Sequence, residues 1–194
     1  MNFLKRTYNW TLEKAQHKNA KWYLSLISFA EGSFFPIPPD ILLIPMALAS
    51  KTKALFYAFI CTLSSVLGGI FGYAIGYFFF NSIGLYIVEF YHLENSFSIF
   101  ENYYKEFGIL IVLGAGITPF PYKFITIASG VFGLNIYLFV IVSIIGRGLR
   151  FYLIAILLYF FGEKIKLFID KYFNILSITF FILLAGSVFI IRFL

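Results

Sequence analysis

Cysteine, histidine and charge are all scarce in this sequence. Cys61, the one cysteine, lies in an apolar run, so neither an intrachain disulfide nor a cysteine metal cluster is possible. The two histidines, His17 and His92, fall outside the long apolar stretches and form no His-Glu-X-X-His pattern; Gly-X-Ser-X-Gly is missing too. Hydrolysis of a lipid phosphate or a peptide needs a nucleophile and a base, and no such pair is found. The chain is therefore expected not to be an enzyme, and to use neither cofactor nor metal. Gly114-Ala115-Gly116 lacks the strand and lysine of a phosphate loop. Charged residues are only 12% of the 194, against roughly one-quarter in soluble domains, which excludes water as the main solvent. No Ser/Gly-rich or acidic linker divides the chain, so one domain over 1–194 is expected. The first apolar run starts only near Trp22 and carries Glu31 and prolines, unlike a signal peptide, so the N-terminus is expected to be retained.

Apolar and aromatic residues fill the space left by charge, at 61% and 22%. The formal net charge of +6 would suggest nucleic acid for a soluble protein. Here the basic residues flank apolar spans, so anionic lipid is the expected partner and nucleic acid is not.

Residues 1–21 place Leu4, Tyr8, Leu12 and Ala15 at helical spacing among Lys5, Arg6, Lys14, Lys18 and Lys21, the pattern of a basic helix lying on a membrane surface. Residues 22–50 are apolar enough to enter a bilayer, but Pro36, Pro38, Pro39 and Pro45 forbid an unbroken helix. Two half-helices forming a re-entrant hairpin are expected there. Residues 54–80 have the length of a spanning helix, with Gly68, Gly72 and Gly76 at a spacing that lets helices approach closely. In 81–107, Phe90, Leu93, Phe97, Phe100, Tyr104 and Phe107 recur at steps of three and four, predicting an amphipathic interfacial segment. Residues 108–133 are again apolar and again interrupted, by Pro119 and Pro121, predicting a second re-entrant hairpin. Spanning helices are expected over 134–161 and 174–194. The fold class is thus all-α, a polytopic membrane protein of inverted-repeat hairpins, spanning helices and interfacial amphipathic helices.

Orientation follows from the loops. Residues 1–21, the Lys51/Lys53 turn and the Lys164/Lys166/Lys171 loop are basic, whereas 81–107 hold Glu89, Glu94, Glu101 and Glu106 against Lys105. The basic loops, and the N-terminus with them, are expected on the cytoplasmic side. If each broken element enters and leaves on one side, every basic loop is satisfied together, and the C-terminus with Arg192 lies outside.

The two breaks share a pattern, Pro-apolar-Pro-X-charge: Pro36-Ile37-Pro38-Pro39-Asp40 and Pro119-Phe120-Pro121-Tyr122-Lys123. Phe59, Gly68 and Phe71 also match Phe139, Gly148 and Phe151 at a nearly constant offset. Entering from opposite faces, the copies would meet at the midplane as inverted repeats do in transporters. Glu31, Asp40, Lys123, Arg147 and Arg150 all fall in the presumed membrane zone. Each unpaired charge there costs about 2.5 to 3.5 kcal/mol on insertion scales, so mutual neutralisation is expected. Two acids against three bases leave one positive charge, −2 + 3 = +1. That surplus suits an anionic ligand, or else one cation reaches an interface or pairs with backbone carbonyls. Arg147 and Arg150, three apart, share a helical face and could fork phosphate oxygens. Lys123 would sit where a helix dipole disfavours a cation, unless it pairs with an acid or shares the helix start with a phosphate. Glu31 could carry a coupling proton or hold a static salt bridge.

The run Phe29-Ala30-Glu31-Gly32-Ser33-Phe34-Phe35-Pro36-Ile37-Pro38-Pro39-Asp40, then Gly116-Ile117-Thr118-Pro119-Phe120-Pro121-Tyr122-Lys123, then Gly146-Arg147-Gly148-Leu149-Arg150-Phe151, resembles the DedA family, also called the SNARE-associated or VTT-domain family. The Pro-Tyr-Lys version and the short length look like its YqaA branch. The resemblance covers roughly residues 22–162. It implies paired re-entrant hairpins meeting inside the bilayer and movement of lipids between leaflets. In bacterial relatives that means phosphate-bearing lipids such as undecaprenyl phosphate or phosphatidylethanolamine, linked to the proton-motive force; eukaryotic relatives are scramblases. It makes Glu31 and Asp40 the essential membrane acids and Arg147 and Arg150 the essential arginines. At Lys123 the sequence departs from the better-studied branch, which has a differently arranged arginine-containing segment.

The leading expectation is a lipid transporter or flippase, in which Lys123, Arg147 and Arg150 bind the lipid phosphate while Glu31 and Asp40 exchange protons and serve as counter-ions. Its partners would be phospholipid or polyprenyl phosphate, with a homo-oligomer open. The alternatives are a non-transporting scaffold or assembly protein, and a proton or ion channel.

Overall fold

The computed structural model describes residues 19–34, 37–80, 84–90, 94–118, 120–162 and 164. Most of the expected basic helix over 1–21, the expected span over 174–194, and Pro36 and Pro119 lie outside the described residues. All regular structure among the described residues is helical: α1 Ala20–Ser33, α2 Asp40–Ala49, a short 3-10 turn Lys51–Lys53, α3 Ala54–Phe79, α4 Leu85–Phe90, α5 Glu94–Ile117, α6 Tyr122–Val131, and α7 Ile136–Gly162. Two of these, α3 with its preceding turn (29 residues) and α7 (27 residues), are long and apolar enough to cross a membrane. At 1.5 Å per residue each spans roughly 40 Å, more than a hydrocarbon core of about 30 Å.

One expected boundary is displaced. The division at 107/108 between amphipathic segment and second hairpin is replaced by continuous helix, because α5 runs from Glu94 to Ile117. Nothing before Pro119 stops it: Gly108, Gly114 and Gly116 each cost only about 1 kcal/mol in a helix, whereas proline removes a donor and clashes. Polarity changes along α5 while its backbone does not. The 81–107 stretch also contains a separate short helix, α4.

Local signals end and start the later helices. Gly133, at φ +64°, closes α6 with Leu134 N–H donating to Ser129 O at 2.9 Å and Gly133 N–H to Gly130 O at 3.2 Å, the paired bonds of a Schellman end. Asn135 then opens α7, its Oδ1 accepting from the N–H groups of Tyr137 and Leu138 at 3.0 and 3.2 Å.

The central helix is α3, and its contacts give the direction of its neighbours. Ser28 donates to Cys61 O, while Gly32 lies against Ser65 and Gly69, so α1 runs parallel to α3. Asp40 meets Arg150 and Leu48 meets Gly162, so α2 returns toward the end where Lys51 and Lys53 lie. Gly108 meets Leu134 and Gly116 meets Gly146, which brings α5 inward from the other end. Thr126 packs on Gly72 and Ile127 on Gly76, so α6 goes back out to that end. The two helix–break–helix units thus enter from opposite ends and have their breaks at mid-height.

Polarity is inverted relative to a soluble bundle. The buried side of α3 carries Thr62, Ser64, Ser65, Gly68, Gly72 and Gly76, whereas Phe56, Phe59, Leu63, Leu67 and Phe71 are exposed. A water-soluble helix does the opposite. Small residues inside let backbones touch: a Cβ on Gly68 would stand 2.0 Å from Phe29 O, and one on Gly76 2.0 Å from Ile127 O. Replacing Gly76 with Ala is expected to destabilise the fold by about 1–3 kcal/mol through overpacking. Gly114→Ala, where a Cβ meets nothing within 4 Å, should be neutral or stabilising by up to about 1 kcal/mol. Unfolding midpoints of the detergent-solubilised variants check the pair.

Candidate functional site

Mid-height on α7, Arg147 and Arg150 point to the side where both breaks arrive. Arg147 Nη2 donates to Glu31 Oε2, in the last turn of α1, and Nε donates to Ser65 Oγ of α3 at 2.7 Å. Its guanidinium lies near two rings, 4.8 Å from the centre of Tyr122 and 4.7 Å from that of Phe151, in the range of cation–π attraction. The side chain is 1% exposed. Tyr122 is itself fixed, its hydroxyl donating to Ser143 Oγ on α7.

Arg150 makes a second pair and a bridge. Its Nη2 donates to Asp40 Oδ2, in the first turn of α2, and its Nη1 to Thr118 O at 2.6 Å. Asp40 follows the first break directly and Thr118 opens the second, so one guanidinium ties the two breaks together. Thr126 Oγ1 adds another tie, donating to Gly32 O at 2.9 Å between α6 and the end of α1.

The half-helices after the breaks start in the same register. Ile41 N–H reaches Pro38 O and Phe124 N–H reaches Pro121 O, each at 3.3 Å, so Asp40 and Lys123 occupy equivalent places. Prolines suit these starts, since the first N–H groups of a helix have no partner within it. Pro39 is wholly buried and Pro45 sits inside α2.

The structure therefore brings Glu31, Asp40, Arg147 and Arg150 together and matches each acid to one arginine. Instead of opening jointly as a fork, the arginines each hold a carboxylate, and Arg147 is enclosed. Lys123 is half-buried, its Nζ 5.2 Å from the Phe124 ring centre, and makes no ion pair among the described residues. The surplus positive charge of the five residues resides there. Pro38 and Pro39 lie between α1 and α2, and Pro121 between α5 and α6.

Ser65, Thr118, Tyr122, Thr126 and Phe151 were given no role by charge counting, yet they hold the arginines or join the hairpins. One signal for Ser65 was available: it shares the three-to-four residue stripe with Gly68, Gly69, Gly72 and Gly76, the buried side of α3. Among the described residues no group of three or more His, Cys, Asp or Glu could hold a metal ion.

Removing one partner of a buried pair strands the other charge, at about 3–5 kcal/mol. Glu31→Gln is expected to destabilise the protein on that scale, and Glu31→Gln combined with Arg147→Gln to cost less than the sum of the single changes. A double-mutant cycle on unfolding midpoints in detergent measures the coupling; strict additivity would show that the pair contributes nothing.

No family model and no solved structure matches the chain. It is 35% identical over 185 residues to a Haemophilus influenzae protein called "Uncharacterized protein", covering 95% of this chain and 96% of that one. It is also 37% identical over 160 residues to "Uncharacterized protein HI0703 homolog" of Histophilus somni, covering 81% and 82% of the two. At that identity and coverage the chain belongs to the bacterial protein family that contains these two relatives.

Proposed function

We propose that this protein is a DedA-like membrane transporter that moves phosphate-bearing lipids between leaflets of a bacterial plasma membrane. The observation that carries the reading is the Arg150 bridge, by which the two proline breaks meet at a cluster of two acids and two arginines half-way along the apolar helices. Arg147 is about 11 residues into α7, roughly 16 Å along a helix of about 40 Å. In a bilayer spanned by α3 and α7 the cluster lies near midplane, where non-helical backbone and ionisable groups survive only inside protein or beside a watery cavity. The units over α1–α2 and α5–α6 are then re-entrant hairpins from opposite faces, with Lys51, Lys53 and Lys164 on the cytoplasmic side.

The chemistry follows from the charges. Lys123, which has no acid of its own among the described residues, attracts the lipid phosphate. Protonation of Asp40 releases Arg150 toward the headgroup, and loss of that proton restores the pair, so this acid couples headgroup transit to a proton while Glu31 stays with Arg147 as its counter-ion. The acyl tails stay in the surrounding lipid, against the exposed apolar sides of α3 and α7.

A second reading, a non-transporting scaffold, draws on the completeness of the Glu31–Arg147 pair, which holds two helices without needing a ligand. Exchanging the charges of the other pair, Asp40→Arg with Arg150→Asp, separates the two: a scaffold is rescued by the swap and a transport path is not. Conductance without lipid movement would point instead to an ion channel.

The direct test reconstitutes the protein in vesicles and follows labelled phospholipid and labelled polyprenyl phosphate across the bilayer. Wild type should move at least one above the rate of empty vesicles. Asp40→Asn and Arg150→Gln should each slow it about tenfold or more, an added barrier of about 1.4 kcal/mol. No movement of either lipid by the folded wild type removes the proposal.

A further inference from the structure

The two acid–arginine pairs differ in how completely the guanidinium is used. Arg147 has the edge formed by Nε and Nη2 fully occupied, Nε on Ser65 Oγ and Nη2 on Glu31 Oε2, and the rings of Tyr122 and Phe151 are centred 4.8 and 4.7 Å from its guanidinium carbon. Arg150 presents the same edge half filled. Its Nη2 is on Asp40 Oδ2, but its Nε is buried without a hydrogen-bond partner among the described residues, and so is Oδ1 of Asp40. Carboxylate and guanidinium therefore meet through one bond where the geometry of both groups favours two. A buried donor and a buried acceptor left unmade destabilise this arrangement. The side chains are also more open, 14% and 18% exposed for Arg150 and Asp40, against 1% and 11% for Arg147 and Glu31.

We propose that the pairs have separate roles: Glu31–Arg147 is a fixed strut positioning α1 on α7, whereas Asp40–Arg150 is an exchangeable pair in which a phosphate oxyanion replaces the Asp40 carboxylate on Arg150. The inference rests on the phosphate-handling reading above and adds which arginine takes the phosphate. Two phosphate oxygens fit the Nε–Nη2 edge side-on and satisfy the orphaned Nε. Nη1 stays on Thr118 O, so the bound anion remains attached to the second break. Asp40, once displaced, keeps its place in the first turn of α2, where the helix dipole favours a carboxylate. Glu31 has no such refuge, being in the last turn of α1, where the dipole opposes its charge. Arg147 cannot exchange without also giving up Ser65 and its ring contacts.

The experiment titrates the detergent-solubilised full chain with inorganic phosphate and, separately, with water-soluble dihexanoyl phosphatidic acid, reading affinity by calorimetry and fold by the unfolding midpoint. Asp40→Asn removes the competitor and should tighten phosphate binding about tenfold, the worth of one charge-assisted hydrogen bond. Arg150→Lys keeps the charge but loses the two-pronged edge, and should weaken binding about tenfold or more. Glu31→Gln should lower the unfolding midpoint yet leave affinity within about twofold, as expected for a group that does not compete for the site. Ser65→Ala, which frees Arg147 Nε, should leave affinity unchanged. Binding of both probes with this pattern means that phosphate alone suffices; binding of the phosphatidic acid alone with the same pattern means that a lipid headgroup is required; both outcomes support the exchange site. It is overturned if neither probe binds, if Ser65→Ala or Glu31→Gln tightens binding as much as Asp40→Asn, or if Arg150→Lys binds as wild type does. Since Arg150→Lys reads the same edge, the proposal stays exposed to disproof should Asp40→Asn not fold. Phosphate exchange without lipid movement in vesicles would retain this site and remove transport, so the two failures are distinct.

Discussion

A guanidinium withdrawn from water must have a counter-charge and hydrogen-bond acceptors supplied by the same chain, since losing one partner strands the other at a cost of about 3–5 kcal/mol. That requirement organises this fold. Arg147 and Arg150 sit mid-way along α7, and the chain meets them by stopping two helices short, so that a last turn carrying Glu31, a first turn carrying Asp40 and the free carbonyl of Thr118 can converge on them. An unbroken helix could not deliver these groups together, because its backbone carbonyls are already taken. The prolines are thus part of the electrostatics: they open backbone positions where an arginine can use a carbonyl.

Close packing around α3 makes the convergence possible. Because Gly32, Gly68 and Gly72 lack side chains, α1 and α3 touch backbone to backbone, and Thr126 of α6 reaches the Gly32 carbonyl through the same gap. Larger residues there would push α1 and α6 outward and draw Glu31 away from Arg147. The interior hydroxyls are engaged, Ser28 and Ser129 donating to the carbonyls of Cys61 and Ile125, Ser65 accepting from Arg147 Nε, and Ser64 sharing a bond with Ser25, so that packing here combines contact with hydrogen bonding. At the far end the aromatic series Phe80, Phe97, Phe132 and Tyr104, with successive ring centres 4.8 to 5.2 Å apart, fastens α5 over the end of α6.

Charge and proline were the legible parts of the sequence. Clustered prolines break an apolar helix and buried charges call for partners, so the two breaks, the helical class and the five ionisable residues could be read without coordinates, although Pro45 lies inside α2 without breaking it. Pairing could not, because two acids and three bases admit several matchings and only three-dimensional reach selects Glu31 with Arg147 and Asp40 with Arg150. The 107/108 boundary failed because composition was allowed to stand for backbone: α5 passes from polar to apolar with no residue that stops a helix. Tyr122 and Phe151 could be placed in motifs but not beside an arginine, since in a chain with 41 phenylalanine and tyrosine residues (27 + 14) no aromatic is marked as a cation's neighbour by its presence.

The opposite charges of the two breaks gain meaning from how the pairs cross. Both acids come from the first half of the chain and both arginines from the second, while the equivalent places after the prolines carry Asp40 in one half and Lys123 in the other. Neither half can neutralise its own mid-height charges. Each half alone would lack the partners of these buried charges, and only assembly of the two supplies them. A repeat with identical charges could pack equally well but would repel across the centre. Divergence of charge between halves that keep the same backbone register is therefore what allows the breaks to meet, and it leaves Lys123 without an acid among the described residues.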